Sequence, residues 1–258
     1  MNRFFAPALL CLLLSIGCVP PSLAPYPSPA VAPGEVATLM ARPLRSIASL
    51  TGEGSLRFED RGARLVGELS LRLIADKGVR LDIFTPILTP LATLVSTPQK
   101  LIYLDYHRRR ALEAPATDRT LDRFLQLPLE PRLLTQALAG GVVLPADGWR
   151  AVRPDGEAEE GLWMFARDDW RAGLDPETQR PALLADTHEQ PVIVTWTDWQ
   201  RIDGIDVATT IAAQRPAQRQ AMRIKLTRLN VNRALDESIL TPAIPTGWPL
   251  RRLGGSGE

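Results

Sequence analysis

Cysteine is nearly absent from this chain, which holds only Cys11 and Cys18 in 258 residues. Both lie in the first eighteen positions, so the rest of the chain has no thiol pair for a disulfide or a structural zinc site. Histidine is equally scarce. His107 and His188 are too few for a histidine metal site, and neither sits in an HExxH or nucleophile-elbow context. No Gly-x-Gly-x-x-Gly or P-loop pattern occurs. An excess of one charge is missing too: the formal net charge is +1, and setting aside the first seventeen residues removes Arg3 and leaves 29 basic against 29 acidic side chains. That balance provides no net field for nucleic acid. The acidic residues Glu157, Glu159 and Glu160 and the pair Asp168 and Asp169 lie beside Pro, Gly and Ala, where carboxylates read as solvated turns rather than acid/base groups. No residue argues for catalysis, and no metal or other cofactor is implied.

What is present begins with the leader. Arg3 supplies a positive start, and the apolar run at 4–16 is too short to cross a bilayer before small Gly17 precedes Cys18. The tetrapeptide Ser15-Ile16-Gly17-Cys18 resembles a bacterial lipobox, with Cys18 as the acylated residue and 1–17 as the signal peptide. It departs at the third position before the cut, where Ser15 replaces the usual Leu. The alternative is an ordinary secretory signal cut near Ala24. Acylation gives membrane attachment of about 0.8 kcal/mol per buried methylene, so two or three chains hold the protein permanently. Val19 follows Cys18 where enteric lipoproteins retained in the inner membrane carry Asp. By that resemblance the expected location is the outer membrane, with the domain facing the periplasm. Residues 19–34 contain six prolines and no charge. An extended polyproline segment of this length forms a semi-rigid tether of about 45 Å.

From 46 to 106 the chain reads as five antiparallel strands. In ARLVGELSLRLI, Leu65, Leu69, Leu71 and Leu73 alternate with Glu68, Ser70 and Arg72, which is the period of a half-buried strand. The links are short and polar, with one exception. Thr85-Pro86-Ile87-Leu88-Thr89-Pro90 puts two large apolar residues on a proline-bracketed turn, where Asn, Asp or Gly is the rule. His107-Arg108-Arg109-Arg110 makes a basic corner before a sixth strand, read as a solvated turn with phosphate or lipid headgroups as the functional alternative. Strands resume after 148 and run to 231, with AMRIKLTRLNV alternating clearly.

Three helices are expected. A short amphipathic one covers 35–45, interrupted by Pro43. Another covers 118–125, with Leu121 and Phe124 on its apolar stripe. The last begins at Pro131, with Leu134 and Leu138 inward, and stops at Gly140-Gly141. The absence of strand-helix alternation excludes a doubly wound fold. The expected class is mostly β: a half-open antiparallel barrel of about eleven strands over 35–236, with two or three helices plugging the concave side and an irregular tail at 237–258. So broad a sheet is filled either by the helices or by a ligand. Leu121, Phe124, Leu134, Leu138, Trp163 and Trp196 are the candidates for lining a cavity, with ordinary core packing as the alternative.

The order of helix, long meander with an apolar Pro-bracketed loop, paired helices and second meander resembles the LolA/LolB family of lipoprotein carriers and receptors. The segments that carry it are LRLIADKGVRLDIFTPILTPLATLVSTPQKLIYLDY, QLPLEPRLLTQALAG, VTWTDWQRIDGIDVATTI and IKLTRLNVN. The resemblance implies a non-enzymatic protein that binds acyl chains of lipids or lipoproteins, with a periplasmic LolA-type carrier as partner. It places Ile87 and Leu88 on the loop that helps receptors transfer acyl chains to the membrane, although the frequent Pro-Leu-Gly is here Pro-Ile-Leu-Thr. The alternative function is a lipoprotein subunit or scaffold of an envelope or secretion assembly, its barrel filled by its own side chains.

Overall fold

Strands with one apolar face fold only when that face is covered, and the computed structural model shows how. It describes residues 29–117, 129–187 and 191–253. A first meander comprises β1 (Ser49–Asp60), β2 (Ala63–Ile74), β3 (Gly78–Phe84), β4 (Pro90–Ser96), β5 (Lys100–Asp105) and β6 (Arg110–Pro115). The second comprises β7 (Arg150–Val152), β8 (Trp163–Arg167), β9 (Trp170–Leu174), β10 (Pro181–Asp186), β11 (Val192–Ile202), β12 (Ile205–Arg215) and β13 (Gln220–Val231). The two join where β1 pairs antiparallel with β13, Leu50 opposite Val231 and Asp60 opposite Gln220. A last strand, β14 (Leu250–Arg252), lies parallel beside β6. The result is one sheet in the order β14-β6-β5-β4-β3-β2-β1-β13-β12-β11-β10-β9-β8-β7. Its two edges, β14 and β7, are not paired with each other, so the barrel stays half-open.

Fourteen strands stand where about eleven were expected. The strands the sequence did not announce are β9 and β14. Trp170-Arg-Ala-Gly-Leu has no clean alternation and carries Gly173 in mid-strand. Leu250-Arg-Arg has only three residues after a proline, too few for any periodic signal.

The inner face holds the main core. Leu71, Leu81 and Leu94 from the first meander meet Phe165, Val194 and Ile224 from the second, all buried. Two helices close over it: α1 (Val36–Ser46), burying Val36, Leu39 and Met40, and α2 (Pro131–Leu138), burying Leu134, Ala137 and Leu138. Both follow the apolar spacing of their sequence. Pro at the first position of α2 suits the helix start, where its missing N–H has no partner to lose. The helix expected at 118–125 lies outside the described residues. One backbone contact fixes the register of the central pair: a bulge on β13 at Thr227 falls opposite Glu53 and Gly54 of β1, and a Cβ at Gly54 would sit 2.0 Å from the Lys225 carbonyl oxygen.

The outer face is not bare. Val95, Ile102 and Leu104 are covered by Leu240, Ile244 and Trp248 from the C-terminal segment. Trp248 meets Tyr106 edge-on, ring centroids 5.2 Å apart. The described part of the segment expected to be an irregular tail, 237–253, contains a 3-10 turn at Glu237–Leu240 and β14, packs on the sheet and shields the β6 edge.

Candidate functional site

The strand registers sort the turns into two rims. One rim, called upper here, carries the β1–β2, β3–β4, β5–β6 and β12–β13 turns. The lower rim carries the β2–β3, β4–β5 and β11–β12 turns. The seven residues of β3 or β4 separate them by about 20 Å, at roughly 3.3 Å per residue.

The apolar loop projects from the upper rim. Ile87 is 84% exposed and Leu88 69% exposed, so neither is folded back into the core. The loop itself is well made: Thr85 N–H donates to Thr89 O and Leu88 N–H to Thr85 O, both at 2.8 Å. Thr89 N–H also donates to Thr85 Oγ1 at 3.0 Å. Leu88 takes a left-handed φ of 63°, a conformation that costs a β-carbon residue about 1–2 kcal/mol. A turn that holds a leucine both exposed and strained gains nothing for the fold from that side chain.

At the lower rim a cavity of about 960 Å³ opens between the helices and the sheet. That is near the top of the range of roughly 300–1,000 Å³ common for small-molecule sites. Its apolar walls include Leu44, Ile47, Leu73 and Ala139, and Val143 stands half-exposed beside them. Arg45, Arg132 and Asp76 are also part of the lining, all exposed, and none of them forms an ion pair among the described residues, so the charged groups are two guanidiniums against one carboxylate. Arg132 occupies the second position of α2, where the positive end of the helix dipole disfavours a cation. The arrangement offers oil inside and guanidinium at the edge, the two halves of an amphiphile with an anionic head.

The sequence candidates fall in different places. Cys18, Leu121 and Phe124 lie outside the described residues. Leu134 and Leu138 are buried in the main core. Trp196 is also buried, and its Nε1–H donates to Ala137 O at 2.8 Å, tying β11 to α2. Trp163 is half-buried and lines a separate hollow of about 500 Å³ with Pro154, Glu157, Glu160 and Pro176. The 960 Å³ cavity takes its walls from other residues. Pattern reading missed Arg45 and Arg132, although an arginine just inside a helix start is a legible anomaly.

No family model matches this chain, and no curated protein does. Solved structures do. A DUF1329 family protein from Desulfovibrio piger superposes with a TM-score of 0.56 at 12% identity, over 83% of this chain and 98% of that one. A putative outer membrane lipoprotein-sorting protein domain from Vibrio parahaemolyticus gives 0.54 at 12% identity, over 80% and 95%. A LolA superfamily protein from Nitrosomonas europaea gives 0.52 at 9%, over 80% and 97%. The fold is LolA/LolB-like. At these identities the likeness extends to the fold alone.

Within this LolA/LolB-like sheet the buried charges brace strands. Asp82 on the outer face accepts from Arg80 Nε at 2.8 Å, from Arg72 Nη1 at 3.1 Å and from Thr93 Oγ1 at 2.7 Å, linking β2, β3 and β4. Glu159 is buried against Arg171, whose Nε donates at 2.6 Å, and this hydrogen bond pushes the guanidinium pKa up. Glu159, expected in a solvated turn, is therefore enclosed, because its carboxylate also accepts the Asp155 N–H at 2.7 Å. Among the described residues no cluster of three or more His, Cys, Asp or Glu side chains is placed to hold a metal ion. No described helix is long and apolar enough to cross a membrane.

Proposed function

We propose that this protein is an outer-membrane-anchored, non-enzymatic lipoprotein that binds acyl chains of lipids or lipoproteins and helps insert them in the membrane. Cys18 carries the anchor and residues 19–34 the tether. The cavity beside Arg45 and Arg132 takes the acyl chain, and Ile87 and Leu88 engage the bilayer. The observation that carries this reading is the exposed, left-handed Leu88 beside exposed Ile87: the apolar tip is built from a turn chemistry that weakens the fold. The lipoprotein-sorting domain from Vibrio parahaemolyticus lends support from its name. A periplasmic LolA-type carrier is the partner such a receptor requires.

The test uses the chain from residue 19, which contains the whole described sheet and core. It is expected to bind a fluorescent fatty acid, and Leu88→Glu is expected to slow lipoprotein transfer from a carrier to vesicles by roughly tenfold or more. Absence of probe binding together with an unaffected transfer rate in Leu88→Glu overturns the proposal. The second reading, a subunit of an envelope assembly with a filled barrel, is favoured by the dense packing of Leu134, Leu138 and Trp196. Co-purification with a fixed protein partner and no acyl ligand would establish it.

A further inference from the structure

The basic corner that sequence reading set aside as a solvated turn has a neighbour that only the sheet reveals. The β5–β6 turn stands on the upper rim next to the apolar loop: Tyr106 N–H donates to Leu91 O at 3.1 Å, just past the loop's last residue. On the loop's other side β2 pairs with β3, Glu68 opposite Phe84, so the tip of the β1–β2 hairpin rises alongside. There Leu65 and Val66 are 39% and 48% exposed. Three hairpin tips therefore stand in a row, with the uncharged apolar loop in the middle.

The charge around that loop is mostly of one sign. On the three hairpin tips and the neighbouring β12–β13 turn, Arg61, Arg64, Arg108, Arg109, Arg110 and Arg219 are exposed, against the carboxylates Glu59, Asp60, Glu68 and Asp105, while the distant β8–β9 turn of the same rim carries Asp168 and Asp169 beside Arg167. Asp105 is shared by Arg108 at 3.6 Å and Arg110 at 3.4 Å. Arg61 lies 3.7 Å from Asp60 and Arg64 3.8 Å from Glu59. Arg109 and Arg219 have no ion-pair partner among the described residues, and both sit at turn positions with left-handed φ, 49° and 55°. The chain as a whole is close to neutral, so this surplus is local.

From this juxtaposition we infer that the part of the upper rim around the β3–β4 loop, from the β5–β6 turn to the β12–β13 turn, is a docking surface for an anionic phospholipid bilayer. Arg108, Arg109 and Arg219 meet lipid phosphates while Ile87 and Leu88 enter the interface between them. Apolar residues ringed by arginine suit that boundary, because the guanidinium binds phosphate in a bidentate fork while its stem lies along the acyl surface. This deepens the proposed function by naming the lipid chemistry the loop meets, and it rests on the membrane half of that reading alone.

Vesicle flotation with the chain from residue 19 tests it, since no acyl anchor is then present. Binding is expected to vesicles of about a third phosphatidylglycerol in phosphatidylcholine, to be weak on phosphatidylcholine alone, and to fade in about 0.5 M salt. Arg109→Ala and Arg108→Ala are each expected to weaken phosphatidylglycerol binding about fivefold. Ile87→Asp is expected to weaken binding to both vesicle types. Fatty-acid binding in solution should be unchanged in all three, which separates failure of this inference from failure of the acyl-binding proposal. Equal affinity for neutral and anionic vesicles, or indifference to the arginine substitutions, overturns the inference. It is also overturned if the same substitutions break up a lipid-free dimer, which would make the rim a contact between copies.

Discussion

Leu88 is where a single side chain separates what the fold needs from what a function would need. Its φ of 63° belongs to glycine or asparagine, and its side chain is left in solvent. Leu88→Gly is therefore expected to stabilise the protein by about 0.5–1 kcal/mol in denaturant unfolding, the relief of left-handed strain outweighing the added freedom of the unfolded chain. The same variant is expected to lose membrane contact, so stability and vesicle binding should move in opposite directions. Tyr103 gives a second residue-scale test. It lies on the inner face of β5, opposite Leu94 and Leu112. Burial, reinforced by the nearby Asp105, pushes its phenol pKa above 10. Here the folded state holds the proton longer than the unfolded one. The stability is full below about pH 10, the unfolded value, and declines as pH rises from there through the folded value. Unfolding midpoints compared at about pH 8 and pH 11 should fall in the parent and fall less in Tyr103→Phe.

At the scale of elements, the strands with clean alternation were legible and the ones held by context were not. Leu69 to Leu73 on β2 and Met222 to Leu226 on β13 declared both their existence and their inner face by a period of two, whereas Leu65, in the same alternation, lies past the end of β3 and is exposed. The start of α2 was equally plain from Pro131 and the spacing of Leu134 and Leu138. β14 was invisible: it exists because β6 offers an unpaired edge and because Trp248 and Leu240 find Tyr106 and Ile102 beneath them. Its stability should accordingly depend on that packing. Trp248→Ala removes a half-buried ring from the Tyr106 contact and is expected to cost about 1–3 kcal/mol. Hydrogen exchange locates the loss. The Ala111 amide, which donates to Pro249 O at 2.9 Å, and the Leu253 amide, which donates to Glu113 O at 2.9 Å, should lose protection while amides of β1–β3 keep theirs. A uniform change across the sheet would mean instead that the segment is part of one cooperative unit with the core. With β6 uncovered, the variant should also self-associate, since an open edge pairs with other chains.

For the molecule as a whole, the sequence made the fold class readable and the exposure of Ile87 and Leu88 a fair expectation, but not the distance between features. Period and composition report neighbours along a strand. They cannot report that Arg45 and Arg132, 87 positions apart in the chain, line one cavity, or that the arginine corner stands beside the apolar loop. Nor could they tell that Leu134, Leu138 and Trp196 would be packed in the core while the open space lay elsewhere, because an inward-facing residue looks the same in either case. The spacing has a mechanical consequence. The cavity and the apolar loop occupy opposite rims, about 20 Å apart along β3 and β4, with buried Leu81 and Leu94 between them. Ligand uptake and bilayer contact should then be separable by mutation, since sites this far apart with no shared partners act nearly independently. Thr135→Trp, placed on α2 at a half-buried position that lines the cavity, is expected to weaken fatty-acid binding roughly tenfold while leaving vesicle flotation intact. Ile87→Asp is expected to do the reverse. If either substitution instead depresses both activities while circular dichroism and unfolding midpoint stay at parent values, the two rims are coupled. The helices, which pack on the sheet between the two rims, would then transmit occupancy of one end to the other.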